Sequence, residues 1–312
     1  MGERTILPAL AALGAAATWA LASHLFRRAL LRSDGAVPPS AAAANLYKNV
    51  LAFAVFAAIA FASGGEFPAA DRWPALAASG FFGFAVGDTL FFAALPLAGV
   101  QVAAMCGLVQ VPAAVFLGWV VHGERLEPTA LLGGALIVAG VLLVLSETPR
   151  GVVRDPLARR RGVQLAILAA LAQAVGVVAG HGAMQGQEVL GGTMARMSGG
   201  IAGACVIAIV LGIVTRGSSA ARELAHLTRP WKEPAARRGL VIAAVCGSVV
   251  GLPLFHYALR GMASGEAAVL FATTPLFTLP IGYAFGERHG LRGVLGALIG
   301  IGGVAAVVSA TS

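Results

Sequence analysis

A few ionisable side chains lie inside long apolar stretches of this sequence, and each is a candidate for chemistry. Asp88 is a carboxylate well inside such a stretch, and Asn45, Lys48 and Asn49 share one helix face through their i, i+3, i+4 spacing. A charge at membrane depth costs about 2.5–3.5 kcal/mol on insertion scales, so it normally faces a water-filled cavity or another protein group. Asp88 therefore predicts either a proton, cation or amine site, or a structural pair with a neighbouring Lys or Arg.

Other polar or aromatic side chains within the apolar stretches complete the candidate solute site. For Lys48, the alternative to a cavity-lining role is a side chain that extends to the lipid headgroups. For a histidine in such a stretch, the alternative to proton transfer is a hydrogen bond between helices. The candidates for solute binding, together with Asp88, are Trp19, Lys48, Asn49, Gln110, Gln173, His181, Arg196, His256 and Thr273.

Two prolines interrupt apolar stretches and are candidate hinges. Pro112 and Pro275 each lack an N–H, so they free the carbonyls of Leu108 and Phe271, four residues earlier, and kink a helix. In a membrane, a freed carbonyl needs a polar side chain, water or solute as its partner. Gln110, near Pro112, and Thr273 and Thr274, near Pro275, are close enough in sequence to be these partners.

Patterns typical of other functions are missing from the sequence. The three cysteines, Cys106, Cys205 and Cys246, lie singly in apolar stretches, and no histidines have metal-ligand spacing. No apolar stretch has the neighbouring acids that a magnesium–diphosphate site needs, and no Gly-x-Ser-Gly motif precedes a buried histidine. We therefore predict no catalytic residues, no metal, no cofactor and no enzymatic activity.

Composition identifies an integral membrane protein. Of 312 residues, 58% are hydrophobic and only 12% are charged, and the apolar stretches are long enough for helices that cross a bilayer. The net charge of +8 comes mostly from links between stretches, which favours lipid headgroups rather than nucleic acid as the partner. The sequence predicts an all-α protein with ten transmembrane helices, near 5–26, 42–63, 74–95, 98–121, 128–146, 162–184, 193–215, 239–259, 264–285 and 291–310.

The second half of the sequence repeats the first. A shift of 163 residues, which places Pro112 on Pro275, matches ten of the 35 positions of 112–146, including Gly-Glu-Arg at 123–125 and 286–288. Upstream, after a gap of one residue, "GDTLFFAAL" at 87–95 falls on "GLPLFHYAL" at 251–259 with five matches of nine. Because five helices are an odd number, the second repeat is inverted in the membrane. We expect a first repeat at 1–148, an Arg-rich linker at 149–161 and a second repeat at 162–312.

The matched passages resemble the second part of an EamA domain, from the drug/metabolite transporter superfamily. The resemblance rests on a mid-helix proline, a Gly-Glu at the end of that helix and a glycine-rich final helix in each half. It implies a ten-helix transporter of small metabolites or drugs, often an exporter. Small multidrug members of the superfamily bind protons and cations through a Glu in the first helix, which this sequence lacks.

The sequence therefore predicts a secondary transporter of a small metabolite or drug-like solute in the cell (plasma) membrane. It would work as an exporter by alternating access between the inverted repeats. Expected partners are the solute, membrane lipids and a coupling proton or cation, and the protein would be a monomer or homodimer. The alternatives are a membrane enzyme, or a sensor or scaffold subunit. Basic links after helices one, five, seven and nine predict that both termini lie outside the cytoplasm.

Overall fold

Ten helices, some of them interrupted, form the described part of the protein. The computed structural model describes residues 3–31, 39–123, 127–147, 155–184, 188–214, 234–261 and 264–311. The helices are α1 (Glu3–Leu30), α2 (Ala41–Ser63), α3 (Ala70–Ala98), α4 (Val100–Gly107 and Gln110–His122), α5 (Pro128–Leu145), α6 (Pro156–Met184), α7 (Val189–Val214), α8 (Pro234–Ala244, Val245–Val250 and Gly251–Gly261), α9 (Ser264–Phe271 and Thr274–Ala284) and α10 (Leu291–Thr311).

The length and hydropathy of the helices confirm the predicted all-α membrane fold. Among the described residues, eight helices are long and apolar enough to cross a membrane, and the apolar part of α9 is shorter, at Val269–Ala284. The helix α7 has 26 residues. At 1.5 Å per residue, that length also exceeds a hydrocarbon core of about 30 Å.

Short local signals set the helix ends. Ser40 caps α2 by accepting a hydrogen bond from the Ala43 N–H, and α2 ends at Gly64, whose φ is +66°. Gly123 and Gly286 end α4 and α9 with φ of +69° and +85°, a backbone conformation that favours glycine. The glycine of each Gly-Glu-Arg passage is thus a helix terminator.

The start of α6 lies inside the predicted linker. This helix begins at Pro156, where the Asp155 carboxylate accepts a hydrogen bond from the Leu157 N–H at 2.9 Å. An acidic cap followed by proline at the first helical position is a strong start signal. Residues 156–161 are therefore the first turns of α6, whereas 148–154 lie outside the described residues.

Two antiparallel glycine-rich helices show the inverted symmetry most directly. A Cβ added to Gly140 of α5 would lie 2.5 Å from the Gly296 oxygen of α10, and one added to Gly296 would lie 2.6 Å from the Gly140 oxygen. The same reciprocal contact joins Gly133 and Gly303 at 2.6 Å each way. Because the 163-residue shift relates Gly133 to Gly296 and Gly140 to Gly303, the two contacts are equivalent by the repeat.

A second sign of the inverted symmetry is a π-helical segment in each half. The segment Phe81–Gly87 interrupts α3, and Val245–Val250 interrupts α8. The alignment of "GDTLFFAAL" with "GLPLFHYAL" places these two segments at the same point of the repeat. Single π-helical turns are rare and occur frequently at functional sites.

The hydrophobic core is concentrated toward one end of the bundle. We name face A the end at which α1 begins and α10 ends, and face B the end at which α1 ends. The largest buried cluster lies toward face B, where Phe26 of α1 stacks on Phe92 of α3 at 4.2 Å and Leu240 of α8 packs nearby. The helices are therefore tightly packed at face B.

Toward face A, the core divides into two small clusters. One joins Phe56 of α2 to Met197 of α7, and the other joins Ala12 of α1 to Ala258 of α8 and Ala267 of α9. The buried side chains toward face A thus form two separate clusters, whereas one larger cluster joins the helices toward face B. A cavity is lined by side chains that belong to both small clusters, among them Met197 and Phe255.

Candidate functional site

The π-helical segment of α3 positions Asp88 at the wall of the cavity. A π-helical turn leaves carbonyls out of the regular ladder, and the Asn45 amide donates hydrogen bonds to the Phe84 oxygen at 2.6 Å and the Ala85 oxygen at 3.4 Å. The same amide lies 2.9 Å from the Thr89 hydroxyl. Asn45 thus stabilises the distorted turn from which Asp88 projects.

Asp88 is paired within the protein. The Lys48 ammonium of α2 forms a direct ion pair with Oδ2, and the Gln173 amide of α6 donates to Oδ1 at 3.1 Å. The Lys48 side chain is only 3% exposed, so it points into the bundle instead of extending to headgroups. Gln173 can reach Asp88 because residue 87 is glycine, since a Cβ at this position would lie only 2.6 Å from the Gln173 Cγ.

Arg196 of α7 and Lys48 both lie over the aromatic ring of Phe84. The Arg196 guanidinium carbon is 4.9 Å from the centre of the Phe84 ring, and the Lys48 ammonium is 5.8 Å from that centre. Among the described residues, the buried Nε atom of Arg196 has no hydrogen-bond partner. The ion pairs in the described ranges join Lys48 to Asp88 and join Arg27 and His289 to Glu287, without Arg196.

These charges lie around a cavity of about 340 Å³. Helices α1–α4 and α6–α9 all contribute to its lining, so the cavity lies between the two repeats. Aromatic side chains form much of the wall: Trp19, Phe84, Phe91, Phe255 and Phe271. Apolar walls with a few convergent polar groups are typical of small-molecule sites.

Both proline-containing helices are broken beside the cavity. Helix α4 stops at Gly107 and resumes at Gln110, and α9 stops at Phe271 and resumes at Thr274. The Leu108 carbonyl accepts from the Val111 N–H at 3.0 Å, and the Phe271 carbonyl accepts from the Thr274 hydroxyl at 2.6 Å. The two freed carbonyls thus have protein partners, of which only the Thr274 hydroxyl was among the donors expected.

The structure brings most of the predicted solute-binding residues to one cavity. Those that line it are Trp19, Lys48, Asn49, Asp88, Gln110, Gln173 and Arg196, with the predicted hinge Pro275. Pro112 instead faces an apolar surface pocket between α4 and α5. Thr273 donates to the Leu270 carbonyl at 2.6 Å and does not line the cavity, whereas its neighbour Thr274 does. His181 is exposed, and the side chain of His256 lies outside the described residues.

Lining residues that sequence reasoning missed are mostly aromatic or small. They include Phe84, Phe91, Ser248, Phe255 and Phe271. The sequence repeat could have indicated two of them. Phe91 aligns with Phe255, and this pair is one of the five matches between "GDTLFFAAL" and "GLPLFHYAL". The same alignment pairs Phe84 with Ser248 and Asp88 with Leu252, and all of these positions line the cavity.

A buried ionic cluster closes the bundle at face B. The Arg27 guanidinium of α1 lies 3.1 Å from Glu287, which follows α9, and also donates to the Leu95 carbonyl at 3.1 Å. The same Glu287 oxygen accepts a hydrogen bond from the Val100 N–H at 3.4 Å. This Arg27–Glu287 latch joins the first repeat to the second at face B.

The environment of Glu287 favours its ionised form. Burial alone would raise the pKa of this carboxyl, but His289 at 3.5 Å and the Arg27 cation, together with His24 and the Val100 N–H, hold the pKa below its ordinary value. The latch therefore carries a charged carboxylate at neutral pH.

Ten helices in two inverted five-helix repeats, with a polar cavity between them, define a multi-span membrane protein of the inverted-repeat class. The family model described as the EamA-like transporter family matches the sequence twice, at residues 6–146 and 160–309. The chain therefore belongs to the EamA-like transporter family, of the drug/metabolite transporter superfamily, whose members are transporters.

One comparison with solved structures shows the same fold. A protein crystal structure aligns with 98% of this chain and 96% of its own chain, with a TM-score of 0.59 and 19% sequence identity. At that identity, the likeness concerns the fold alone. A search of curated proteins finds no match for this chain.

Proposed function

We propose that this protein is a secondary transporter that exports a small organic solute across the cell (plasma) membrane by alternating access. The observation that carries the proposal is the cavity between the repeats, which borders two small buried clusters toward face A and one large packed core toward face B. A transporter that works by alternating access needs a central site that is open to one side of the membrane while it is closed to the other side. The difference in packing between the two ends supports this proposal.

Asp88 is the proposed coupling residue. It is the carboxylate of the cavity wall, and protonation or cation binding there would compete directly with the Lys48 ion pair. Because Lys48 is on α2 and Asp88 is on α3, breaking their pair changes a contact between helices. Protonation of Asp88, or cation binding to it, would thereby change how α2 and α3 pack together in the first repeat.

The proposal is tested by flux into and out of proteoliposomes that contain the full chain. Radiolabelled metabolites and toxic analogues are screened with the wild-type protein, and each active solute is repeated with Asp88→Asn. The matched control is Asp155→Asn, which neutralises a carboxylate that caps α6 outside the cavity. We expect flux that falls in Asp88→Asn and persists in the control.

Two outcomes would contradict the proposal. If well-folded wild-type protein transports none of a broad panel, a sensor or scaffold role replaces it. If Asp88→Asn carries normal flux with normal dependence on proton and cation gradients, Asp88 is structural.

The oligomeric state, which we expect to be a monomer or a homodimer, is determined by measuring the mass of the same purified protein in nanodiscs.

A further inference from the structure

The inverted symmetry pairs the two cations of the cavity. Lys48 is the eighth residue of α2 (Ala41–Ser63), and Arg196 is the eighth residue of α7 (Val189–Val214), its counterpart in the second repeat. The next residues, Asn49 and Met197, also line the cavity. Lys48 and Arg196 therefore occupy equivalent places on equivalent helices.

The carboxylate beside these cations has no equivalent. Asp88 of α3, which pairs with Lys48, aligns with Leu252 of α8, and both line the cavity. Leu252 packs with the cluster that holds Met197, the neighbour of Arg196. Where the first repeat supplies a carboxylate for its cation, the second repeat supplies an apolar side chain.

The charges of the cavity wall are consequently unbalanced. Its described lining holds two cations, Lys48 and Arg196, against one anion, Asp88. Asp88 pairs directly with Lys48 and attracts Arg196 from beyond ion-pair distance, so the wall keeps one positive charge in excess. The buried Nε of Arg196 has no partner in the described part of the chain. An uncompensated charge is costly at membrane depth, so a ligand that supplies one negative charge is stabilised there.

We propose that the transported solute is a small organic monoanion whose carboxylate binds the Arg196 guanidinium. The solute carboxylate pairs with Arg196 in the second repeat as Asp88 pairs with Lys48 in the first. The apolar body of the solute packs against Trp19, Phe255 and Phe271. This inference rests on the proposed transport function for the direction of movement, but the anion site itself does not. The planar fork of arginine suits a carboxylate, because the two can form two parallel hydrogen bonds.

Size and position agree with this assignment. A cavity of about 340 Å³ lies at the lower end of the range for small-molecule sites, which suits a single ring with a short side chain. Arg196 lies seven residues, or about 10 Å along α7, from the face A end of that helix. Lys48 lies about the same distance from face B along α2. An anion that enters from face A therefore meets the unpaired cation first.

An organic cation fits the same site poorly. The carboxylate that would bind an ammonium group already pairs with Lys48 and accepts from Gln173. A bound cation would also raise the net charge of the wall from one excess positive charge to two. The aromatic side chains attract cations through their faces, but Phe84 already lies beside both Lys48 and Arg196.

The test compares three probes that share one body. Phenylacetate, phenylacetamide and phenethylammonium have an aromatic ring and a negative, neutral or positive head group. Their affinities for the purified full chain in nanodiscs are measured by calorimetry, which does not require transport. We expect phenylacetate to bind most tightly, and Arg196→Gln to weaken it by roughly 30-fold or more without changing the affinity for phenylacetamide.

One pair of variants at Leu252 and two single variants locate the anion site. Leu252→Asp supplies the missing carboxylate to Arg196 and should abolish phenylacetate binding, whereas Leu252→Asn introduces a polar group of similar size without charge and should preserve it. Arg161→Gln removes a cation from an exposed position on α6 and should leave all three affinities unchanged. Asp88→Asn frees Lys48, so phenylacetate affinity should equal or exceed that of the wild type.

The outcomes separate the anion site from the transport function. Equal affinities for phenylacetate and phenylacetamide, a preference for phenethylammonium, or an unchanged preference in Arg196→Gln would each overturn the anion site. Loss of phenylacetate binding in Leu252→Asn as well as in Leu252→Asp, with both variants folded, would overturn the symmetric placement. Selective anion binding without flux in proteoliposomes would refute transport and leave the site standing.

Discussion

Glu287→Gln should open the protein toward face B. Glutamine keeps the shape of the side chain and an acceptor for the Val100 N–H, but it removes the charge that compensates Arg27. The variant therefore tests whether the Arg27–Glu287 latch holds the two repeats together at this face. Arg27 keeps its hydrogen bond to the Leu95 carbonyl, so the guanidinium is not left wholly without partners.

The size of the effect follows from the burial of the pair. The side chains of Arg27 and Glu287 are 11% and 0% exposed, and breaking one partner of a buried pair costs about 3–5 kcal/mol. We expect the lower part of that range, because Arg27 retains both some exposure and the Leu95 contact. If the pair forms only when face B is closed, about 3 kcal/mol shifts the equilibrium between the two access states by roughly 150-fold.

The assay measures labelling of a cysteine in the cavity from each side of the membrane. Ala104 lines the cavity near the face B end of α4, so Ala104→Cys is placed in a background without the three native cysteines. A membrane-impermeant maleimide is then applied to each face in turn. Glu287→Gln should increase labelling from face B and decrease labelling from face A.

A matched control distinguishes the latch from general loss of charge. Glu147→Gln neutralises a carboxylate that accepts a hydrogen bond from the Gly293 N–H at 2.9 Å and has no part in the Arg27–Glu287 pair. It should leave the labelling pattern unchanged. If Glu287→Gln is expressed normally and its labelling from face B equals that of the wild type, the pair does not close face B.

Three further predictions concern pH, packing and the hinges. Because the pKa of Glu287 is depressed, the stability that its charge contributes is complete above the ordinary carboxyl pKa of about 4.3 and is lost as the pH falls through the lower folded-state pKa. The difference in thermal midpoint between wild type and Glu287→Gln should thus not shrink between pH 8 and pH 5, and a difference that already shrinks by pH 6 would contradict the cause given. Gly140→Ala places a Cβ 2.5 Å from a backbone oxygen of α10 and should destabilise by about 1–3 kcal/mol in thermal unfolding, whereas Gly302→Ala meets nothing within 4 Å and should not. Pro112→Ala and Pro275→Ala restore a donor at equivalent helix breaks and should shift cysteine labelling toward opposite faces, and shifts in the same direction would exclude symmetric hinges.

The elements of the fold were predictable because the signals for them are local. Apolar stretches give the helices, and Pro112 and Pro275 give the broken helices of each repeat. The start of α6 was missed because 149–161 was assigned by its arginines, although Asp155 followed by Pro156 is itself a helix-start signal.

The arrangement of the site was only partly predictable. Polar residues inside apolar helices indicated the cavity, since burial in a membrane needs compensation. The partner of each was not evident, because these helices are apolar on most sides and periodicity does not show which side faces inward. The pairing of Asp88 with Lys48, the exposure of His181 and the outward position of Pro112 all depend on how the helices pack.

The two repeats share their backbone features but not the carboxylate of the cavity wall, since Asp88 aligns with Leu252. The backbone devices occur in both copies, namely the π-helical segments, the broken helices and the reciprocal glycine contacts of α5 and α10. The carboxylate occurs in one copy only. The backbone features thus occur twice and the carboxylate once. Under the proposed function, a few substitutions on the cavity side of α3, α7 and α8 would therefore be enough to alter the solute that is recognised, without altering the features that both repeats share.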